Sequence, residues 1–240
     1  MSAGARQAPA QARAPAPDDA LPPYEGIDLA DVRLVRSGDD AAAALAALLE
    51  ADAIGFDTES KPTFRKGEVS TGPHLVQLAT DRHAYLFQIA NVALAAGEPA
   101  AGIAVLRAVL ESPAILKVGF GLGDDLRRLR AKLGIDARNV LDLANALRRG
   151  ERNAWGAKTA VARFFGRRLQ KSRKITTTNW SLPRLSDKQI QYAADDAHVA
   201  LRVYRHWRAL PPDALPATAP DKAPGAGAGR ARRKPDPLPD

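Results

Sequence analysis

The spacing of apolar positions changes along the chain, and each change marks an element. In DDAAAALAALLEADA, residues 39–53, alanine and leucine recur at helical spacing, which predicts a helix ending near Ala51 with Asp39 or Asp40 as its cap. AIGFDTE, residues 53–59, alternates instead: Ile54 and Phe56 face one way, and Gly55, Asp57 and Glu59 the other. HLVQLAT and AYLFQIA, parted by the polar DRH, read as two further strands in a hairpin, so the three strands predict an antiparallel meander. A helix around Ala104–Glu111 precedes the short apolar run AILKVGF. A glycine-punctuated turn and the helix DDLRRLRAKLG follow. Helical stretches are predicted in LDLANALRR and AKTAVARFFG, then a basic loop, then a long helix from about Ser186 to Ala209. This order predicts an α/β fold, a mixed β-sheet flanked by α-helices.

Composition sets the limits of that domain. The opening MSAGARQAPAQARAPAPDDALPP is rich in alanine and proline, so residues 1–24 are expected to be a disordered leader. From Pro211 onward the chain mixes Pro, Gly and Ala around Arg230, Arg232, Arg233 and Lys234, which predicts a disordered basic tail over 211–240. The folded domain is expected over 25–210. With no cysteine, disulfides, thiolate-bound zinc and thiol nucleophiles are excluded. A formal charge of +8 suits a polyanionic partner. No run reaches membrane-spanning length and the leader lacks an apolar signal core, so the expectation is a cytoplasmic protein without membrane contact.

Within this frame three places gather acids. The period of a strand aims Asp57 and Glu59 at one face. In KVGFGLGDDLRRL, Asp124 and Asp125 fall after a strand, in the first turn of a helix, where open sheets bind ligands and where either acid could also serve the helix end. In QYAADDAHVALRVY, Tyr192 and Asp196 stand four residues apart on one helix face, with Asp195 as the competing acid. If Asp57, Glu59, Asp125 and Asp196 meet, like charges about 4 Å apart repel by roughly 4 kcal/mol at an effective dielectric near 20. Such a cluster must bind cations or protons. Hard oxygen donors suit Mg²⁺ or Mn²⁺, and four shared carboxylates suit two ions bridging one phosphate, which favours phosphodiester chemistry.

Taken together, FDTE, VGFGLGDDLRRL and YAADDA resemble, in that order, the DEDD superfamily of 3′-5′ exonucleases in its tyrosine subgroup, especially the Werner-type and ribonuclease D-like exonuclease domains. TNWSLPRLSDKQIQYAADDAHVALRVY resembles the family's approach to its third motif. The resemblance implies a ribonuclease H-like fold and two Mg²⁺ or Mn²⁺ ions held by Asp57, Glu59, Asp125 and Asp196. It selects Asp125 over Asp124 and Asp196 over Asp195, and has Tyr192 position the attacking water. The implied reaction removes nucleoside 5′-monophosphates from the 3′ end of single-stranded or 3′-ended DNA or RNA. For that strand, Phe64, Arg65 and Lys66 offer a stacking ring among cations, and Lys171, Arg173 and Lys174 offer backbone contacts. The competing expectations are a catalytically weak nucleic-acid-binding module and another two-metal phosphoesterase acting on nucleotides.

Overall fold

The structure, a computed structural model, describes residues 20–63, 67–90, 101–148 and 153–211. Its strands are β1 (Val32–Leu34), β2 (Ala53–Glu59), β3 (Leu75–Ala79), β4 (Ala84–Gln88), β5 (Leu116–Gly119) and β6 (Val140–Asp142). The helices are α1 (Gly38–Leu49), α2 (Ala101–Leu110), α3 (Gly123–Leu133), α4 (Leu143–Ala146), α5 (Ala157–Phe165), α6 (Arg173–Thr176) and α7 (Asp187–Ala209). The six strands form one sheet in the order β1-β4-β3-β2-β5-β6. The meander β2-β3-β4 is antiparallel, while β1 joins β4, β5 joins β2 and β6 joins β5 in parallel. The expected mixed sheet flanked by helices is therefore present.

Both faces of the central strands are covered. Ile54, Phe56, Val76, Leu78 and Phe87 pack against Ala44 and Leu48 of α1 and Leu106 and Leu110 of α2. The opposite face belongs to α7, whose Val199, Leu201 and Val203 bury Ala53 and Val118 together with α5. Small residues let α7 come close to β2. A Cβ built on Gly55 would lie 1.9 Å from the Ala197 carbonyl oxygen, so only glycine permits this contact.

Several local features differ from the sequence reading. Ser37, rather than Asp39 or Asp40, caps α1, and Asp40 returns the bond to the Ser37 backbone in a capping box. Strands β1 and β6 were not anticipated, because three residues carry no measurable period and exist as strands only through their neighbours. LDLANALRR accordingly begins in β6 and is helical only over Leu143–Ala146. Pro22–Tyr24, expected in the leader, pair with Arg168: Arg168 N–H donates to the Pro22 carbonyl and Tyr24 N–H to the Arg168 carbonyl. Tyr24 also stacks on Phe165 at 5.7 Å. The basic loop contains the short helix α6.

Candidate active site

Asp57 and Glu59 lie at the end of β2, on the face turned to α7, as the alternation requires. Glu59 is 9% exposed and Asp57 is half-buried. The next strand β5 leads into the turn before α3, where Gly121 takes the left-handed conformation at φ 71°. That turn is held from below by Asp142 at the end of β6, whose carboxylate accepts from Gly121 N–H at 2.9 Å and Leu122 N–H at 3.2 Å. The first turn of α3 therefore presents Asp125 toward β2, where it accepts a hydrogen bond from the Thr58 hydroxyl. Asp124 points away, exposed, and pairs with Arg127 at 2.9 Å and Arg128 at 3.6 Å. No side chain caps α3, so the capping role open to Asp124 is not taken.

The third motif is fixed by the start of α7. Ser186 and Gln189 form a capping box, and Gln189 Nε2 also donates to the Thr178 hydroxyl at 3.1 Å. Two turns in, Tyr192 and Asp196 share the face over β2 and β3. Trp180, fully buried, lies 6.0 Å from the Tyr192 ring and fixes its plane. The Tyr192 hydroxyl is 3.1 Å from the Thr176 hydroxyl. Asp196 is 6% exposed and pairs with Lys171 Nζ at 2.8 Å. Asp195 is engaged elsewhere: it accepts from Ile27 N–H at 2.9 Å and Gln191 Nε2 at 3.0 Å, tying the N-terminal segment to α7. It has a structural duty, and Asp196 is the acid that turns inward.

Asp57 and Glu59 both lie in the field of the other inward acids. Burial, followed by the charges of Asp196 and Asp125, raises the Asp57 carboxyl well above the ordinary range. Burial, then Asp57 and Asp196, pushes Glu59 up to about 9. Burial also raises Asp125, against the Thr58 hydrogen bond, and Asp196, against the Lys171 ammonium. Tyr192 is raised by burial and then by Asp196, which keeps the phenol protonated. Burial opposes the charge on Lys171, yet the carboxylates of Asp196 and Asp57 outweigh it and raise its pKa.

Such a set is chemically suited to hard divalent cations, since its donors are carboxylate oxygens that destabilise one another when ionised. Among the described residues, no three Asp, Glu or His side chains already surround one point at ligand distance. Two of the four acids are turned to other partners, Asp125 to Thr58 and Asp196 to Lys171. Of the expected substrate contacts, Lys171 is an internal counter-ion rather than a free surface cation, because a buried carboxylate beside it outcompetes water. Lys174 is exposed and Arg173 opens α6. Phe64, Arg65 and Lys66 lie outside the described residues. Sequence reasoning missed Thr58, Asp142 and the pairing of Lys171; only contacts between distant segments single them out.

Comparison with known proteins agrees with the fold. A family model described as 3′-5′ exonuclease matches residues 32–209. An Arabidopsis thaliana 3′-5′ exonuclease is 30% identical over 162 residues, 66% of this chain and 53% of that protein. The Mus musculus bifunctional 3′-5′ exonuclease/ATP-dependent helicase WRN is 27% identical over 66% of this chain and 11% of its own length. The chain thus spans about half of the first relative and a small part of the second. Among solved structures, the Aedes aegypti Nibbler EXO domain superposes with a TM-score of 0.63 at 25% identity, covering 76% of this chain and 90% of that one. The Trypanosoma brucei RNase D complex with RNA U12 has the same fold, with a TM-score of 0.65 at 22% identity over 77% of this chain and 64% of that one. Divalent-metal dependence is general among these exonucleases. No described helix is long and apolar enough to cross a membrane. With its sheet, its α7 layer and all three acidic motifs inside the matched region, the chain belongs to the DEDD-type 3′-5′ exonuclease family.

Proposed function

We propose that this chain is a 3′-5′ exonuclease of the tyrosine subgroup, hydrolysing the terminal phosphodiester of DNA or RNA and releasing nucleoside 5′-monophosphates. The observation that carries this is the convergence of Asp57 and Glu59 of β2, Asp125 of α3 and Asp196 of α7 beside Tyr192, close enough that Asp57 feels the charges of Asp125 and Asp196. Asp57, Glu59, Asp125 and Asp196 would hold two Mg²⁺ or Mn²⁺ ions, which when bound supply a polarised water and offset charge on the phosphate and the leaving oxygen. Asp125 and Asp196 turn from Thr58 and Lys171 to serve as ligands. Tyr192 stays a neutral phenol, so it orients water or a phosphate oxygen by donating its proton in a hydrogen bond and does not act as the base. Released from Asp196, the Lys171 ammonium is free to face the substrate phosphate.

An open recess of about 440 Å³ next to Lys171, lined by Lys158, Arg168 and Gln170, supports passage of a single strand along this side. Lys174 adds positive charge nearby. The absence of cysteine fits a reducing, cytoplasmic setting.

The deciding assay uses matched DNA and RNA single strands and 3′-overhang duplexes, 5′-labelled, with free or blocked 3′ ends, in Mg²⁺ or Mn²⁺. Stepwise shortening of unblocked strands alone is expected. Asp57→Asn should keep the fold and lose this activity; turnover at the normal rate in that variant would refute the assignment. Shortening of nothing would favour a binding module, and release of phosphate from free nucleotides would favour another phosphoesterase.

A further inference from the structure

Gln77 in the middle of β3 is 0% exposed, and neither its amide nitrogen nor its amide oxygen has a hydrogen-bond partner. A buried unpartnered amide destabilises a fold, and a leucine or methionine would fill the same space at no such cost. Its place in the sheet is specific. Gln77 pairs directly with Asp57 across the antiparallel β2-β3 ladder, so both side chains leave the same face. Its neighbours Leu75 and Ala79 are covered by Ala193, Ala194 and Ala197 of α7, which shuts bulk solvent away from Gln77. Among the described residues, the Asp57 carboxylate accepts one hydrogen bond, from Thr58 N–H at 2.8 Å to Oδ1. An unused amide donor thus stands across the strand from a carboxylate with an unused oxygen.

We infer that Gln77 is a positioning residue for Asp57: its amide donates, directly or through one buried water, to the carboxylate oxygen that Thr58 leaves free. The bond fixes the plane in which the carboxylate meets a divalent cation. Partners that orient metal-binding carboxylates in this way typically tighten metal affinity ten- to a hundredfold. The inference rests on Asp57 being a metal ligand, as proposed above.

The test is Mn²⁺ titration by calorimetry of the full chain, alongside thermal melts in EDTA, for wild type, Gln77→Met, Gln77→Asn and Asp57→Asn. Gln77→Met removes the unpartnered amide, so it should melt no lower than wild type yet bind Mn²⁺ about tenfold more weakly. Gln77→Asn, one methylene short, should also bind more weakly, and it decides the matter if the methionine variant fails to fold. Wild-type Mn²⁺ affinity in the folded variants overturns the inference, whatever their melting temperature. Absence of Mn²⁺ binding by the wild type itself, or unchanged binding in Asp57→Asn, defeats the metal-site reading instead, so the two failures are told apart.

Discussion

Lys171→Met tests how the carboxylate cluster is held together. At 2.8 Å, with an effective dielectric near 20, the Lys171–Asp196 attraction is roughly 6 kcal/mol. Burying the ammonium offsets part of this, and removing one partner of a buried pair costs about 3–5 kcal/mol. The loss has a ceiling, since Asp196 escapes by taking a proton. Without Lys171 its carboxyl, already raised by burial, moves higher still. The sign follows from proton counting. Below the unfolded carboxylate value of about 4 both states are protonated and the variant loses little. Above it the unfolded chain ionises and both folded proteins lose stability alike until pH passes the raised wild-type Asp196 value; from there the folded wild type has released its proton while the variant keeps it, so the deficit grows with pH, by at most about 1.4 kcal/mol per unit. Denaturation at pH 5 and pH 8 in EDTA should show the gap between variant and wild type widening. A deficit of about 3 kcal/mol at pH 8 corresponds to roughly 6–12 °C in melting temperature. Saturating Mn²⁺ supplies positive charge to the same carboxylates and should narrow the gap. A gap equal at both pH values, or indifferent to Mn²⁺, would refute the view that Lys171 neutralises this cluster.

Other consequences follow from the same contacts. Glu59, at about 9 in the fold against an ordinary 4.5, holds a proton that the unfolded chain releases; metal-free stability should therefore fall as pH rises through that window, and Mn²⁺ affinity should rise across it, with proton release in calorimetry as the check. Gly55→Ala forces α7 from β2 and should destabilise by about 1–3 kcal/mol while lowering nuclease activity with Asp196 displaced, whereas Gly38→Ala, in open space in α1, should be neutral or slightly stabilising. Asp142→Ala frees two N–H groups of the turn before α3; activity should drop more than melting temperature does, and faster hydrogen exchange at Gly121 and Leu122 should report the loosened turn.

Much of the site is written in local spacing. A period of two puts Asp57 beside Glu59, and a separation of four puts Tyr192 above Asp196, whatever the rest of the chain does. The meander, α3 after β5 and the long α7 were legible for the same reason, because each carries enough residues to display its period. Local spacing is silent on which member of an adjacent pair turns inward. Asp124 and Asp125 are separated by the roll of α3 against the sheet, which the Asp142 carboxylate holds from β6; Asp195 and Asp196 are separated by Ile27 binding one side of α7 while Gly55 admits the other to β2. Strands β1 and β6, the capture of Lys171 by Asp196 and the placement of Gln77 opposite Asp57 likewise arise from partners far away in the chain. Such contacts are chosen by packing and desolvation, which depend on what lies across a gap rather than on what comes next along the backbone.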